Sequence, residues 1–195
     1  MQTHSRPSTS AETTNRPWIS STRVRLRKLL SLVALHLLAL GAAAARADCR
    51  DPLFVCETTR PDTCIEICAT ELEVGRRWTD LQYRYGPEGA PELVYPADAS
   101  RGASQLFFSH EKNKHGDYTV TVRFNTGPYV YRVYSSTGPA LAGVTVSDKA
   151  GKLLSNVRCA ERPTIFPSYL QRALACDMTN PHGRAACGDR PYGSK

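Results

Sequence analysis

The chain has 195 residues, 41% of them apolar, with a formal net charge of +7. That charge is local: residues 1–47 hold seven Lys/Arg and one Glu, so residues 48–195 keep 18 basic against 17 acidic side chains. A 148-residue segment of net charge +1 suits one domain with a real core and excludes a broad electrostatic footprint for nucleic acid.

Residues 1–22 are rich in Ser, Thr, Pro and Asn without apolar periodicity, a disordered composition. A basic cluster follows at Arg23, Arg25, Arg27 and Lys28, then the apolar run Leu29–Leu40, then Gly41, four alanines and Ala45-Arg46-Ala47. That order is a cleavable secretory leader over residues 1–47, with cleavage expected after Ala47. The preface before Val24 points to translation starting near Val24. The rival reading, a membrane anchor, has only the 17 residues Leu29–Ala45 and ends in alanine, whereas a span needs about 20 strongly apolar residues. A lipidated Cys49 is disfavoured because Asp48 stands where a small residue is wanted.

Strand signals dominate the rest. Leu53–Cys56 and Cys64–Cys68 read as a hairpin around Arg60-Pro61-Asp62-Thr63, placed for a type I turn. Trp78–Tyr85 alternates, with Leu81, Tyr83 and Tyr85 on one face, and Glu92–Tyr95 follows, closed by Pro96. Gln105–Ser109 is short and apolar. Tyr118–Phe124 and Tyr129–Ser135 flank the turn Asn125–Pro128 and alternate with period two, as half-buried antiparallel strands do. Gly143–Ser147 and Lys152–Cys159 form a further pair, and Phe166–Leu174 reads as a short helix with Phe166, Leu170 and Leu174 on one side. The expectation is an all-β domain over 48–176, a compact antiparallel barrel or sandwich of eight or nine short strands with one C-terminal helix, followed by a polar tail over 177–195.

The cysteines are Cys49, Cys56, Cys64, Cys68, Cys159, Cys176 and Cys187. In an exported protein disulfides are the default, and an odd number leaves one free or intermolecular. At least one bridge is expected to join the early and late groups. The preferred pairs are Cys159–Cys176 and one drawn from Cys56, Cys64 and Cys68, with Cys49–Cys187 as a further pair. A zinc site is the alternative, but Cys64-x3-Cys68 lacks knuckle spacing and has no His beside it. There is no Asn-x-Ser/Thr sequon, which fits a bacterial periplasmic or secreted protein.

Catalytic patterns are sparse. His110-Glu111-Lys112-Asn113-Lys114-His115 places two histidines five apart, where a zincin needs four on a helix, and reads as a solvated loop between strands. Ser109-x-x-Lys112 lacks the companion motifs of serine acylases, no Gly-x-Ser-x-Gly elbow is present, and Arg101–Ser104 is a turn rather than a phosphate cradle. No catalytic residue, cofactor or metal is assigned. Aromatics are more informative. Tyr packs well in sheets, but Tyr and Arg are also favoured in binding hot spots. Tyr129 and Tyr131 share one face of their strand; Arg132 and Tyr134 share the other. These four, with His110 and His115, form the candidate contact surface.

Leu81-Gln82-Tyr83-Arg84-Tyr85-Gly86, Pro91–Pro96, Gly127–Tyr131, Gly143–Val146, Cys159 and Cys176-Asp177 together resemble a group of small exported proteobacterial proteins of uncharacterised function. The resemblance covers about half of the chain and implies export and a β fold, but no active site. In size and architecture the chain is also similar to the periplasmic lysozyme inhibitors, without the Ser-Gly-x-x-Tyr loop of the c-type family. The expected function is therefore that of a periplasmic, or secreted, non-enzymatic binding protein. Its partner would be an envelope protein such as a peptidoglycan hydrolase, met in an inhibitor or immunity role; nucleic acid is not expected as a partner, nor a stable membrane span after cleavage. The alternatives are an envelope structural or stress-linked protein touching glycan or the outer membrane, and an enzyme with a dispersed site.

Overall fold

The computed structural model describes residues 49–74, 77–138 and 141–188. The leader over 1–47, the start near Val24 and the end of the tail lie outside the described residues. Among those described, no helix is long and apolar enough to cross a membrane.

Among the described residues, eleven strands make two sheets. In chain order, β1 is Asp51–Glu57, β2 Cys64–Glu73, β3 Arg77–Gly86 and β4 Leu93–Tyr95. Then come β5 (Phe107–Lys112), β6 (Tyr118–Thr126), β7 (Tyr129–Ser136), β8 (Ala142–Asp148) and β9 (Leu153–Arg158). The last two are short: β10 is Thr164–Ile165 and β11 Ala175–Cys176. One sheet runs β10-β1-β2-β3-β4 and the other β11-β5-β6-β7-β8-β9. Neighbours are antiparallel, except that β11 lies parallel to β5. The sheets do not close on themselves, so the all-β expectation resolves to a sandwich.

Period-two alternation builds the core. Phe54, Ile65, Ile67, Leu81 and Tyr83 of one sheet meet Phe108, Val122, Phe124, Val133 and Val144 of the other, all buried. Register aligns these side chains across the strands, Val122 opposite Val133 and Val133 opposite Val144. Phe124, fully buried, ties the layers together: its ring centroid lies 4.8 Å from Tyr83, 4.7 Å from Tyr95 and 4.8 Å from Tyr131. Offset and tilted ring pairs of this kind add to the stabilisation that burial already provides. On the far face of β3, Gln82 donates to the Pro96 carbonyl at 2.9 Å, which ties it to the segment after β4, and Arg84 donates to Gln82 at 3.0 Å.

Between β4 and β5, a single 3-10 turn (Ala99–Arg101) leads into a one-turn helix, α1 (Gly102–Gln105). This differs from the expected simple turn and moves the start of β5 from Gln105 to Phe107. Gly102 packs directly on β3, where an added Cβ would stand 1.9 Å from the Leu81 carbonyl oxygen. The later helix, α2 (Pro167–Ala173), falls where the periodicity placed it, with Pro167 opening its first turn. Leu170 and Leu174 are buried, but Phe166 stays at the surface, stacked 5.6 Å from Tyr169. The turn between β1 and β2 also departs from expectation: Asp62 has φ 54°, a left-handed value that a type I turn does not use.

The disulfides are Cys49–Cys68, Cys56–Cys159 and Cys176–Cys187, with Cys64 free. One bridge joins the early and late groups, as expected, but the preferred pairs are corrected, and the geometry of β1 and β2 explains why. Cys56 lies opposite the fully buried Ile65 and shares its inward face, whereas Cys64 and Cys68 alternate with Ile65 and Ile67 and point outward. Cys64 and Cys68 are also four strand positions apart, roughly 13 Å, far beyond disulfide reach. Cys159 instead meets Cys56 where the end of β9 bridges to Thr58.

The Cys64 thiol donates to the Gly86 carbonyl at 3.3 Å. Burial pushes its pKa up to about 11, with Glu66, Glu88 and Glu57 adding to the rise. The thiolate is the reactive form, so at pH 8 Cys64 is expected to alkylate about 100-fold more slowly than an unperturbed thiol. Iodoacetamide labelling followed by mass spectrometry checks this; labelling at the rate of free glutathione would show the thiol to be unprotected.

Residues 177–188 form a strap held through Cys187. Asp177 donates its amide to the Phe108 carbonyl at 2.8 Å, a 3-10 turn spans Gly183–Cys187, and the Cys176–Cys187 bridge closes the loop. This strap lies along β5, and Asn180 donates to Glu111. The ordered domain therefore extends past the boundary expected at residue 176.

Candidate functional site

The six residues of the expected contact surface separate into three places. Tyr129 is exposed at the start of β7, and Tyr131, two residues on, turns inward. Tyr131 is half-buried: it stacks on Phe124 at 4.8 Å and packs against the core cluster. Its phenol pKa is raised, by burial first and by Tyr129 second. The two tyrosines share a face as the alternation required, but that face is the inner one.

Arg132 and Tyr134 point outward. Across the sheet the outward row runs Arg123, Arg132, Thr145, Asn156 on β6, β7, β8 and β9. Arg132 donates to the Ser147 hydroxyl at 3.2 Å, and the Tyr134 hydroxyl donates to the Asn156 side-chain oxygen at 3.2 Å. Tyr134 reaches from β7 to β9 across Gly143 of β8, its direct cross-strand neighbour, which carries no side chain to block the way. A Cβ on Gly143 would itself stand 2.2 Å from the Val157 carbonyl oxygen, so the position is closed to other residues.

The other half of this outward face is covered. Arg123 on β6 is buried under the strap: its guanidinium donates to Asp177 at 2.7 and 2.9 Å, donates to Asn125 at 3.1 Å, and lies 4.8 Å from the Phe107 ring centroid. Burial of Asp177 opposes its ionisation, but the hydrogen bonds from Arg123 and Thr179 and the Arg123 charge outweigh it. The carboxyl is held below the ordinary range. Strap and ion pair thus leave the strip over β7–β9 as the open part of the face. Arg123 and Asp177 were missed as structural residues; a lone Arg among apolar strand residues was the available sign, because a buried charge needs a partner.

His110 is not on a loop. Its residue pairs with Val120, and the strand runs on to Lys112 opposite Tyr118, because hairpin pairing overrides the polarity of the segment. Its ring turns inward at the open end of the sandwich and stacks on Tyr118 with centroids 4.9 Å apart. Burial lowers its pKa, which favours the neutral imidazole. His115 is exposed in the following turn, its amide donating to Asn113 at 2.8 Å, and His182 is exposed on the strap. The three histidines thus occupy separate elements: strand, turn and strap.

Among the described residues, one set of metal-type ligand atoms comes together: Cys49, Glu66 and Cys68. Both sulfurs are spent in their mutual disulfide, so they offer no thiolates to a metal.

Arrangement and chemistry therefore describe a sandwich with a polar and aromatic strip on the outer face of β7–β9, bounded on one side by a disulfide-closed strap. No family model, curated protein or solved structure matches the chain.

Proposed function

We propose that this is an exported binding protein without catalytic chemistry, which engages a protein partner of the bacterial envelope through the outer strip of β7–β9. The observation that carries the reading is the pair of hydrogen bonds holding Arg132 to Ser147 and Tyr134 to Asn156. Both side chains are fixed before any partner arrives, and pre-ordered Tyr and Arg lose little entropy on binding. The leader-like N-terminus and the disulfides support an oxidising compartment, the periplasm first. A peptidoglycan hydrolase is the concrete partner, in keeping with the resemblance in size to the periplasmic lysozyme inhibitors.

The test is a titration of the oxidised protein, recovered from an exporting host, against a panel of lysozymes and bacterial muramidases, following cell-wall lysis. Stoichiometric loss of lysis for one enzyme is the expected result. Arg132→Ala and Tyr134→Ala should then each raise the half-inhibitory concentration roughly 30-fold, the effect of losing a hot-spot contact of about 2 kcal/mol, with unchanged melting. Full inhibition by both variants would move the contact elsewhere. Lysis undiminished across the whole panel would remove the hydrolase partner.

A second reading, contact with cell-wall glycan, is favoured by the exposed Phe166, which stacks on the half-buried Tyr169 at 5.6 Å, with Trp78 tilted against Tyr169 at 4.9 Å. Co-sedimentation with isolated sacculi, lost in Phe166→Ala and retained in Tyr134→Ala, would support it.

A further inference from the structure

The inner face of the second sheet does not fill the sandwich evenly. One row reads Val122, Val133, Val144 and the next Phe124, Tyr131, Val146 across β6, β7 and β8. The row beyond these reads Val120, Ser135, Ala142. Serine and alanine stand where valine or an aromatic would continue the core, so packing stops short at that end. A cleft of about 350 Å³ opens beside Val120 and Ser135 of that row. Val120, Ile165 and Pro167 give it an apolar floor, Tyr118 and His110 form a flat stacked wall, and the Ser135, Thr137 and Ser168 hydroxyl groups lie around it. The lining spans both layers, from β5–β7 to β10 and the first turn of α2.

The chemistry of the lining narrows the occupant. None of these side chains carries a formal charge while His110 is neutral, and burial holds its pKa below the ordinary value. The Lys112 ammonium lies over the Tyr118 ring, 5.2 Å from its centroid. Thr137 already accepts the Tyr118 amide at 2.8 Å, which leaves the Ser135 and Ser168 hydroxyls to meet a ligand's polar group. With His110 neutral, no side chain of the lining offers a charged ligand a counter-charge to offset the loss of its hydration. Apolar cavities of only about 150 Å³ take up benzene, and small-molecule sites begin at about 300 Å³. Flat aromatic walls add ring–ring attraction to plain burial.

We propose that the cleft between Ser135 and Ile165 is a binding site for a neutral one- or two-ring aromatic compound carrying a single hydrogen-bonding group, of the phenol or indole class. Its ring packs between the His110–Tyr118 wall and Ile165–Pro167, and its polar group meets the Ser135 and Ser168 hydroxyls. This inference is independent of the outer strip, which lies on the opposite face of the sheet.

The experiment is an NMR titration of the oxidised protein, recovered from an exporting host, with 4-methylphenol and with indole, following the Val120 and Ile165 methyl signals. Saturable one-to-one shifts are expected. Benzoate, benzylammonium and cyclohexanol should bind at least tenfold more weakly. Ser135→Phe, which fills the void from β7, should weaken 4-methylphenol binding at least tenfold while the protein still melts cooperatively. Ser168→Leu fills it from α2 and does the same should Ser135→Phe not fold. The proposal is overturned by the absence of saturable shifts up to millimolar ligand, by binding that survives whichever filling variant folds, or by cyclohexanol binding as tightly as 4-methylphenol.

Discussion

Asp177→Ala is expected to destabilise the protein by about 3–5 kcal/mol in urea unfolding, the cost of leaving a buried charge uncompensated. The partners are nearly shielded from water, with side-chain exposures of 7% for Arg123 and 5% for Asp177. The contact is bidentate, at 2.7 and 2.9 Å, the arrangement in which Arg and a carboxylate bond most strongly. Truncation removes the carboxylate and leaves the guanidinium under the strap with Asn125 and the Phe107 ring as its remaining partners. The double variant Arg123→Met, Asp177→Leu should recover most of the loss, because two apolar side chains of similar volume need no counter-charge. A double variant as unstable as Asp177→Ala would show that the strap is held by shape rather than by the ion pair. The pH dependence has a definite sign. Asp177 titrates below its unfolded value, so its contribution is fully present above about pH 4. It is lost as pH falls through the lower, folded pKa, and Asp177→Asn should flatten that part of the acid-unfolding curve.

Replacing Cys56 and Cys159 together with alanine should cost about 4–5 kcal/mol. This bridge spans 103 residues, and closing so long a loop restricts the unfolded chain most. It also joins the two layers where β9 meets the β1 end, so its loss frees the corner as well as the chain. Removing the Cys176–Cys187 bridge, which spans 11 residues, should cost less, about 3 kcal/mol or below. Denaturant midpoints of the two double variants measured side by side check the order. Equal losses would mean that native-state packing around the bridges, and not loop length, sets their effect.

How much of this could be read along the chain depends on the range of the interaction concerned. Nine of the strands announce themselves because one face is apolar, and period two shows that over a few residues. Tyr118–Phe124 and Tyr129–Ser135 are the clearest, and both lie within one residue or two of β6 and β7. Leu170 and Leu174 likewise mark the buried side of α2. β10 and β11, two residues each, escaped because two residues carry no period; they exist through pairing with β1 and β5. His110 was misplaced on a loop because its polar neighbours hid a pairing supplied by β6.

The amino-acid sequence by itself determined an all-β chain, the division of Tyr129 and Tyr131 from Arg132 and Tyr134 onto opposite faces, the short helix and the odd cysteine. These follow from local alternation and from counting. Tertiary structure alone decided which of those faces is inner, so that Tyr131 packs against the core and Tyr134 lies on the outer face. It also decided that Cys56 bonds to Cys159, that Arg123 meets Asp177 across 54 residues, and that a cleft opens beside Ser135. Each of these depends on which strands lie side by side, and side chains far apart in the chain come within bonding distance only after the two sheets have paired and stacked.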